Sequence, residues 1–303
     1  MSGTVLILGA NGRFGRHATD AFWNRGWHVR PFNRKTDTLA EAASDADVIV
    51  NGWNPPYTDW AKDVPRLTAE VIEAAKVNNA TVILPGNVYV FGQDAPQILT
   101  ETTTQRATNP LGRIRIEMEA AYRAAGVQTI VLRAGDYIDT EASGNWFDDV
   151  ITKKTAKGIF LAPGARDVEH AWGYLPDVAR AAVLLAERRA TLAAFEDVPF
   201  PGYTLRLTQM KDLVEQASGT PQKVRGMPWW ALKLAIPFWG MAKHLIEMRY
   251  LWNMPHRLDD TRFKELLPKF RDTDPLTAIA TAIAPKVHPD QTMPRGLGDI
   301  AAE

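Results

Sequence analysis

Short apolar runs alternate with helical patterns along the first half of the chain. The first run, TVLIL (4–8), is bounded by glycine and predicts a buried parallel strand. Similar runs end near Phe32, Trp53, Gly86 and Gly135. Helical patterns fill the gaps between them, at about 60–78 and 112–125. This alternation predicts an α/β fold whose parallel sheet has helices on both faces.

The spacing after the second run indicates a departure from the full form of this fold. Only residues 33–45 separate it from the third run, which leaves room for one short helix. A complete Rossmann-type doubly wound sheet needs a further strand there. We therefore predict a Rossmann-type doubly wound parallel sheet that lacks one edge strand.

The alternation loosens from about Phe195, where strand and helix patterns predict a smaller C-terminal α+β substrate lobe. The predicted domains are an NAD(P)-binding domain at 1–165, a helix at 174–190 packing back on it, the lobe at 191–285 and a flexible tail at 286–303.

An aromatic tract between Trp229 and Trp252 leaves three interpretations open. The favoured one is a core that joins the lobe to the larger domain, and the second is a wall of a substrate cleft. Contact with a membrane surface is the third, although Lys233, Lys243 and Arg249 form no clean basic face.

Composition excludes several functional classes. Lys+Arg and Asp+Glu both count 35, so no basic surplus indicates nucleic-acid binding. The absence of cysteine excludes disulfides and thiolate chemistry, and the scattered histidines predict no metal site.

The sequence predicts neither a signal peptide nor a membrane-spanning segment. The start lacks the features of a signal peptide, and the most apolar stretch, 228–242, is too short to span a bilayer. A cytoplasmic protein without a membrane span is expected by default, and a homodimer is left open.

The first strand leads into the glycine turn GANGRFG, with Gly9, Gly12 and Gly15. At a first strand-to-helix turn, this spacing allows backbone N–H groups to approach a pyrophosphate at the helix start. The alternative is an unspecialised turn. The predicted cofactor-binding residues here are Gly9, Asn11, Gly12, Arg13, Phe14 and Gly15.

The end of the second strand indicates which dinucleotide binds. NAD-binding proteins place an acidic residue there, whereas this chain has Asn33, Arg34 and Lys35. A guanidinium binds a 2′-phosphate, and Arg13 is expected to reach the same place. NADP is therefore favoured over NAD, and the alternative is that Arg34 and Lys35 form a solvated loop.

The chain resembles the extended short-chain dehydrogenase/reductases, the group of NAD-dependent sugar epimerases and dehydratases, and more closely an atypical branch of them. The resemblance covers almost the whole chain and rests on GANGRFG (9–15), NPPYTDW (54–60), LPGNVYVFG (84–92), VLRAGDYI (131–138), YLPDVARAAVLLAE (174–187) and EMRYLWNMPHRLDDTRFKELL (247–267).

The resemblance implies roles for the strand ends. Asn87 stands where the family presents a serine or threonine to the substrate, and the Tyr-x-x-x-Lys pair aligns with Leu111 and Arg115. The segment Ala134, Gly135 and Asp136 is implied to line the nicotinamide. Trp53, Asn54, Pro85 and Gly86 complete the predicted cofactor site, with Arg115 as a ribose ligand.

Leu111 has no proton to give, and Arg115 stays protonated and cannot act as a base. The predicted catalytic residues are therefore Asn87, Tyr89, Arg115, Asp136 and His170. The alternatives are that Tyr89 is a packing residue, that His170 is structural and that Tyr57 only fixes its loop.

Two hypotheses about function follow. The favoured one is an NADP-dependent oxidoreductase or sugar epimerase/dehydratase-like enzyme that acts on a small polar substrate without the Tyr–Lys pair. The alternative is a non-catalytic NADP(H)-binding sensor or regulatory module.

Overall fold

A computed structural model describes residues 3–287 of the chain. Its strands are β1 (Thr4–Leu8), β2 (His28–Pro31), β3 (Val48–Asn51), β4 (Thr81–Gly86), β5 (Ile98–Leu99), β6 (Thr129–Arg133), β7 (Asp136–Ile138), β8 (Ile159–Ala162), β9 (His170–Tyr174), β10 (Phe195–Pro199), β11 (Tyr203–Leu205), β12 (Lys223–Gly226) and β13 (Arg257–Leu258). Its α-helices are α1 (Arg13–Asn24), α2 (Leu39–Ala42), α3 (Trp60–Asn78), α4 (Pro110–Ala125), α5 (Leu175–Glu187), α6 (Leu207–Ser218), α7 (Trp229–Ala235), α8 (Gly240–Glu247), α9 (Thr261–Leu266) and α10 (Pro275–Val287).

Six parallel strands form the main sheet, in the order β2-β1-β3-β4-β6-β10. β2 is an edge strand, and the short helix α2 alone lies between it and β3 in the chain. The predicted Rossmann-type sheet and its missing edge strand are thus confirmed within the described residues.

Helices cover both faces of this sheet because successive strand residues point to opposite sides. Val5 and Ile7 belong to a core with residues of α1 and α5, whereas Leu6 and Leu8 pack in a core with residues of α3 and α4. The inner strands β1, β3, β4 and β6 are buried on both faces, which explains their continuous apolar runs, whereas the edge strand β2 is partly exposed.

The smaller lobe is built around a separate core. Strands β7, β9 and β11 form one small sheet, β8 pairs with β12, and helices α6 and α10 pack together beside them. β10 lies in the range 191–285 expected for the lobe, but it pairs with β6 in the main sheet. β7 and β8 lie before 165 and pair within the lobe, because pairing partners distant in the chain decide where a strand belongs. The predicted domain bounds stay a prediction.

The aromatic tract is divided between core and surface. Trp229 and Trp252 are buried in the core of the lobe, whereas Trp230, Phe238 and Trp239 are exposed. Within residues 3–287, no helix is long and apolar enough to cross a membrane. The predicted flexible tail, 286–303, lies outside the described residues apart from the last two residues of α10.

Candidate functional site

The glycine turn joins β1 to α1 through backbone geometry that larger residues do not fit. Gly9 has a φ of 74°, in the left-handed region. A Cβ on Gly15 would overlap the carbonyl oxygen of Gly9, so the helix starts in direct contact with the turn. Gly12 is exposed and makes no side-chain cap for α1. The first amides of α1 therefore suit an anion such as a pyrophosphate.

Arg13 is engaged away from the end of β2. Its Nε donates to the carbonyl oxygen of Ser143 at 2.7 Å, and its Nη2 donates to that of Gly144. The guanidinium is thus bound to the backbone of residues 143–144 and makes no hydrogen bond with the loop of Arg34 and Lys35. The neighbouring Asn11 is exposed, whereas Phe14 is buried in the core.

The loop after β2 has an exposed cationic rim. The guanidinium carbon of Arg34 lies 4.8 Å from the ring centre of Trp53, and Lys35 is exposed. Asp37 accepts a hydrogen bond from the backbone N–H of Asn33 at 2.8 Å, so its carboxylate is used within the loop. Asn33 in turn accepts the N–H of Lys35 at 3.0 Å, and Asn54 is exposed.

The position that aligns with the family tyrosine is covered by the lobe. Leu111 is buried, and its N–H donates to the Glu247 carboxylate at 2.7 Å. The same carboxylate oxygen accepts from the side chain of Asn109 at 2.8 Å, so α8 caps the start of α4.

Arg115 is buried beside this position. Its Nη2 donates to the carbonyl oxygen of Pro85 at 2.6 Å, and its Nε is buried without a partner. Burial lowers the pKa of Arg115 from its usual value, although the charge of Glu119 opposes this. Its predicted role as a ribose ligand stays a prediction.

Two tyrosine hydroxyls meet at the ends of β3 and β4. The hydroxyl oxygens of Tyr57 and Tyr89 lie 2.8 Å apart. Burial raises the pKa of Tyr57 and raises that of Tyr89 well above its usual value, and the charge of Asp136 adds to both shifts. Both hydroxyls therefore keep their protons at neutral pH and can donate hydrogen bonds, but neither is suited to act as a base.

Asp136 and His170 form the second polar pair of this region. The His170 Nε2 and the Asp136 Oδ2 lie 2.7 Å apart, and the Asp136 side chain is 18% exposed. His170 itself is buried, stacked 4.4 Å from the ring of Trp252 and 4.4 Å from that of His256. The histidine thus orients a carboxylate that remains accessible.

Hydrogen bonds from Arg133 and within the turn itself fix the turn after β4. The carbonyl oxygen of Asn87 accepts from Arg133 at 2.6 Å, and the Asn87 side chain accepts the N–H of Tyr89 at 3.1 Å. At the end of β6, Ala134 is buried, and a Cβ on Gly135 would overlap the carbonyl oxygen of Ala171. Gly86 is similarly close to the side chain of Val131.

The structure brings four of the five predicted catalytic residues into electrostatic reach of one another. The charges of Asp136 and Arg115 both act on the tyrosine pair, and His170 contacts Asp136. Asn87 binds this group through the backbone of Tyr89. Sequence reasoning ranked Tyr57 below these residues, named Trp252 only as part of the aromatic tract, and missed the role of Glu247. The motif NPPYTDW was a signal for Tyr57. Glu247 begins the motif at 247–267, but nothing in that motif indicates its contact with Leu111.

Within residues 3–287, no three His, Asp or Glu side chains cluster so that they could hold a metal ion. No family model matches the chain, and no curated protein matches it.

Solved structures share the fold over nearly the whole chain. MoeE5 in complex with UDP-glucose and NAD has a TM-score of 0.72 at 16% identity, covering 93% of this chain and 97% of its own. The GalE-like L-threonine dehydrogenase from Cupriavidus necator has a TM-score of 0.72 at 17% identity, covering 92% and 97%. The Bordetella bronchiseptica enzyme WbmH in complex with NAD⁺ has a TM-score of 0.70 at 16% identity, covering 94% and 98%. These similarities show that the chain has the fold of nucleotide-sugar epimerases and related dehydrogenases.

Proposed function

We propose that the protein is an NADP-dependent oxidoreductase or sugar epimerase/dehydratase-like enzyme that acts on a small polar, sugar-like substrate. The observation that carries this proposal is the accessible Asp136 carboxylate, which His170 orients and whose charge reaches the Tyr57–Tyr89 pair. Neighbours of the same fold include complexes with UDP-glucose and NAD and a threonine dehydrogenase.

The glycine turn suits the pyrophosphate of a dinucleotide. Gly12 is exposed, and no side chain caps the first N–H groups of α1. NADP is proposed over NAD because Arg34 and Lys35 are exposed at the end of β2, where they can bind a 2′-phosphate. The nearby Asp37 carboxylate accepts a hydrogen bond from the N–H of Asn33 within the loop. The neighbours MoeE5 and WbmH are described with NAD, which supports the dinucleotide class. When bound, this cofactor supplies the hydride acceptor or donor.

The proton chemistry is assigned to Asp136 in this proposal. Leu111 carries no proton, and the raised pKa values of Tyr57 and Tyr89 leave both as hydrogen-bond donors. Asp136 then takes or returns the proton of a substrate hydroxyl, and His170 acts as its positioning residue. The tyrosine hydroxyls orient the substrate oxygen by donating hydrogen bonds to it.

One observation favours the non-catalytic sensor instead. Leu111 is buried and its N–H is bound to Glu247, so no side chain there can donate a proton to a substrate. In that case the cofactor would bind tightly without turnover, and the lobe would report its presence to a partner.

The test combines cofactor binding with turnover. NADPH, NADP, NADH and NAD are titrated by calorimetry, and a panel of nucleotide sugars and small carbonyl compounds is then screened with the preferred pair. We expect the phosphorylated pair to bind more tightly, and the Arg34→Ala/Lys35→Ala variant to lose that preference. Asp136→Asn should lower kcat by about 10²–10⁴-fold while cofactor affinity is retained, since it removes only the proton acceptor.

Matched controls separate these effects from general charge loss. Lys153→Ala/Lys154→Ala removes an equal exposed pair of cations elsewhere, and Asp20→Asn removes an exposed carboxylate of α1. Neither should change binding or kcat. Tight cofactor binding with no turnover across the panel would support the sensor, and binding of none of the four nucleotides would contradict both functions.

A further inference from the structure

Helices α7 and α8 form a hairpin whose end presents large apolar side chains to solvent. Trp230 is 68% exposed, Leu234 69%, Phe238 93% and Trp239 48%, and Ile236 is exposed beside them. We call these five residues the aromatic tip. Five exposed large apolar side chains within residues 230–239 indicate an interaction surface rather than the single scattered apolar residues of an ordinary surface.

The hairpin is anchored by its other side. Trp229 is buried in the core of the lobe, and its Nε1 donates to the carbonyl oxygen of Pro163 at 2.7 Å. On α8, Ala242 is fully buried. Because Pro237 lies between the two helices, residues 236–239 form a turn that leaves the tip outside the core.

The segment that carries the tip is positively charged, although the exposed Asp59 follows Thr58, which packs on Gly240 of the hairpin. Residues 216–246 include no Asp or Glu, although the whole chain has equal numbers of acidic and basic residues. The same segment carries four exposed cations: Lys223, Arg225, Lys233 and Lys243. Exposed aromatic side chains with a cationic rim complement an anionic lipid surface, where the apolar groups insert among acyl chains and the cations contact headgroups.

We propose that the aromatic tip docks the protein on the surface of a membrane that contains anionic lipids. The hairpin lies in the interface without crossing the bilayer, consistent with its short helices. A second copy of the chain fits the surface less well, because an interface formed by the same patch on both copies would bring two cationic segments together with no acidic residue at 216–246 to pair with them.

Docking would place the candidate site beside the membrane. The ring of His244 on α8 lies 6.3 Å from that of Tyr57, and a Cβ on Gly240 would lie 3.3 Å from the Cγ2 of Thr58. The segment that carries Tyr57 therefore packs directly on the docking hairpin. The docking itself does not depend on the proposed catalytic function.

Vesicle co-sedimentation of the full chain tests the proposal. We expect binding to vesicles of phosphatidylcholine mixed with phosphatidylglycerol, weaker binding to phosphatidylcholine alone, and weakening by added salt. Trp230→Ala/Phe238→Ala and, separately, Lys233→Glu/Lys243→Glu should each lower the partition constant by about tenfold or more. Brominated lipids should quench tryptophan fluorescence less in Trp230→Ala/Trp239→Ala than in the wild type.

The controls change matched residues elsewhere. Trp23→Ala removes a tryptophan that is 69% exposed on α1, and Lys76→Glu/Lys269→Glu reverses two exposed charges. Both should bind vesicles like the wild type. Failure of the wild type to bind mixed vesicles at low salt, or equal losses in the controls, would overturn the proposal. A dimer in solution that the tip variants dissociate, without vesicle binding, would assign the surface to a second copy.

Discussion

Arg133 is a fully buried guanidinium at the end of β6 whose donors are all directed at fixed acceptors. It donates to Glu119 at 2.7 and 3.1 Å, to both carboxylate oxygens of Asp197, and to the carbonyl of Asn87. Its charge holds the pKa of Glu119 below the usual range despite burial, whereas at Asp197 burial outweighs Arg133 and raises the pKa. The ionic group thus fixes the turn that carries Asn87 and Tyr89.

The Arg133→Met variant should be destabilised by about 3–5 kcal/mol, because it leaves two buried carboxylates without their cation. Urea denaturation measures the change in the free energy of unfolding. Arg113→Met serves as the control, since Arg113 lies 3.8 Å from Glu117 with both side chains largely exposed. That change should cost less than about 1 kcal/mol. Equal losses in the two variants would contradict a stabilising role for the buried group.

At the scale of elements, the contact between β1, the glycine turn and α1 sets the shape of the proposed cofactor site. Gly15 lies so close to the carbonyl of Gly9 that no side chain fits between them. The start of α1 is therefore fixed by backbone contact, and its first amides are directed by that packing.

Gly15→Ala should displace the start of α1 and weaken dinucleotide binding by at least about tenfold, with a loss of stability of about 1–3 kcal/mol. Calorimetric titration and thermal unfolding measure the two effects. Gly226→Ala is the matched control, because a Cβ there meets nothing within 4 Å. The explanation fails if Gly15→Ala binds the dinucleotide as the wild type does.

At the scale of the whole molecule, a buried histidine lies where the lobe meets the main body. His256 precedes β13, which pairs with β5, and its ring lies 4.4 Å from that of His170. Its Nδ1 lies 2.9 Å from the carbonyl oxygen of Met254, and its Nε2 is buried without a partner. Burial, with the nearby His170, lowers the pKa of His256 to about 3.

This lowered pKa predicts a loss of stability in acid. Between the unfolded value near 6.5 and about 3, the unfolded chain binds a proton that the folded chain does not. The free energy of unfolding should therefore fall as pH falls through this window, by about 1.4 kcal/mol per unit at most for this group.

Denaturation curves across this pH range measure the slope. His256→Leu should reduce the slope of the free energy of unfolding against pH by the amount that corresponds to about one bound proton. His28→Gln, at an exposed position of β2, should leave the slope unchanged. An unaltered slope in His256→Leu would assign the acid sensitivity to other groups.

The sequence by itself determined the parallel sheet, the missing edge strand and the glycine turn. These features depend on short-range periodicity and on glycine spacing, so residues such as Gly9, Gly12 and Gly15 reveal them without knowledge of the fold. The resemblance to a known family, carried by motifs such as LPGNVYVFG and VLRAGDYI, also indicated polar groups around the candidate site, among them Asn87 and Asp136.

Only the tertiary structure decided which of those groups touch. Asp136 and His170 are 34 residues apart, and Tyr57 and Tyr89 are 32 apart, so no local pattern pairs them. Packing also turned Arg13 toward residues 143–144, placed Glu247 over Leu111, and left the aromatic tip outside the core. Contacts between distant segments decide such side-chain directions, and one-dimensional spacing does not encode them.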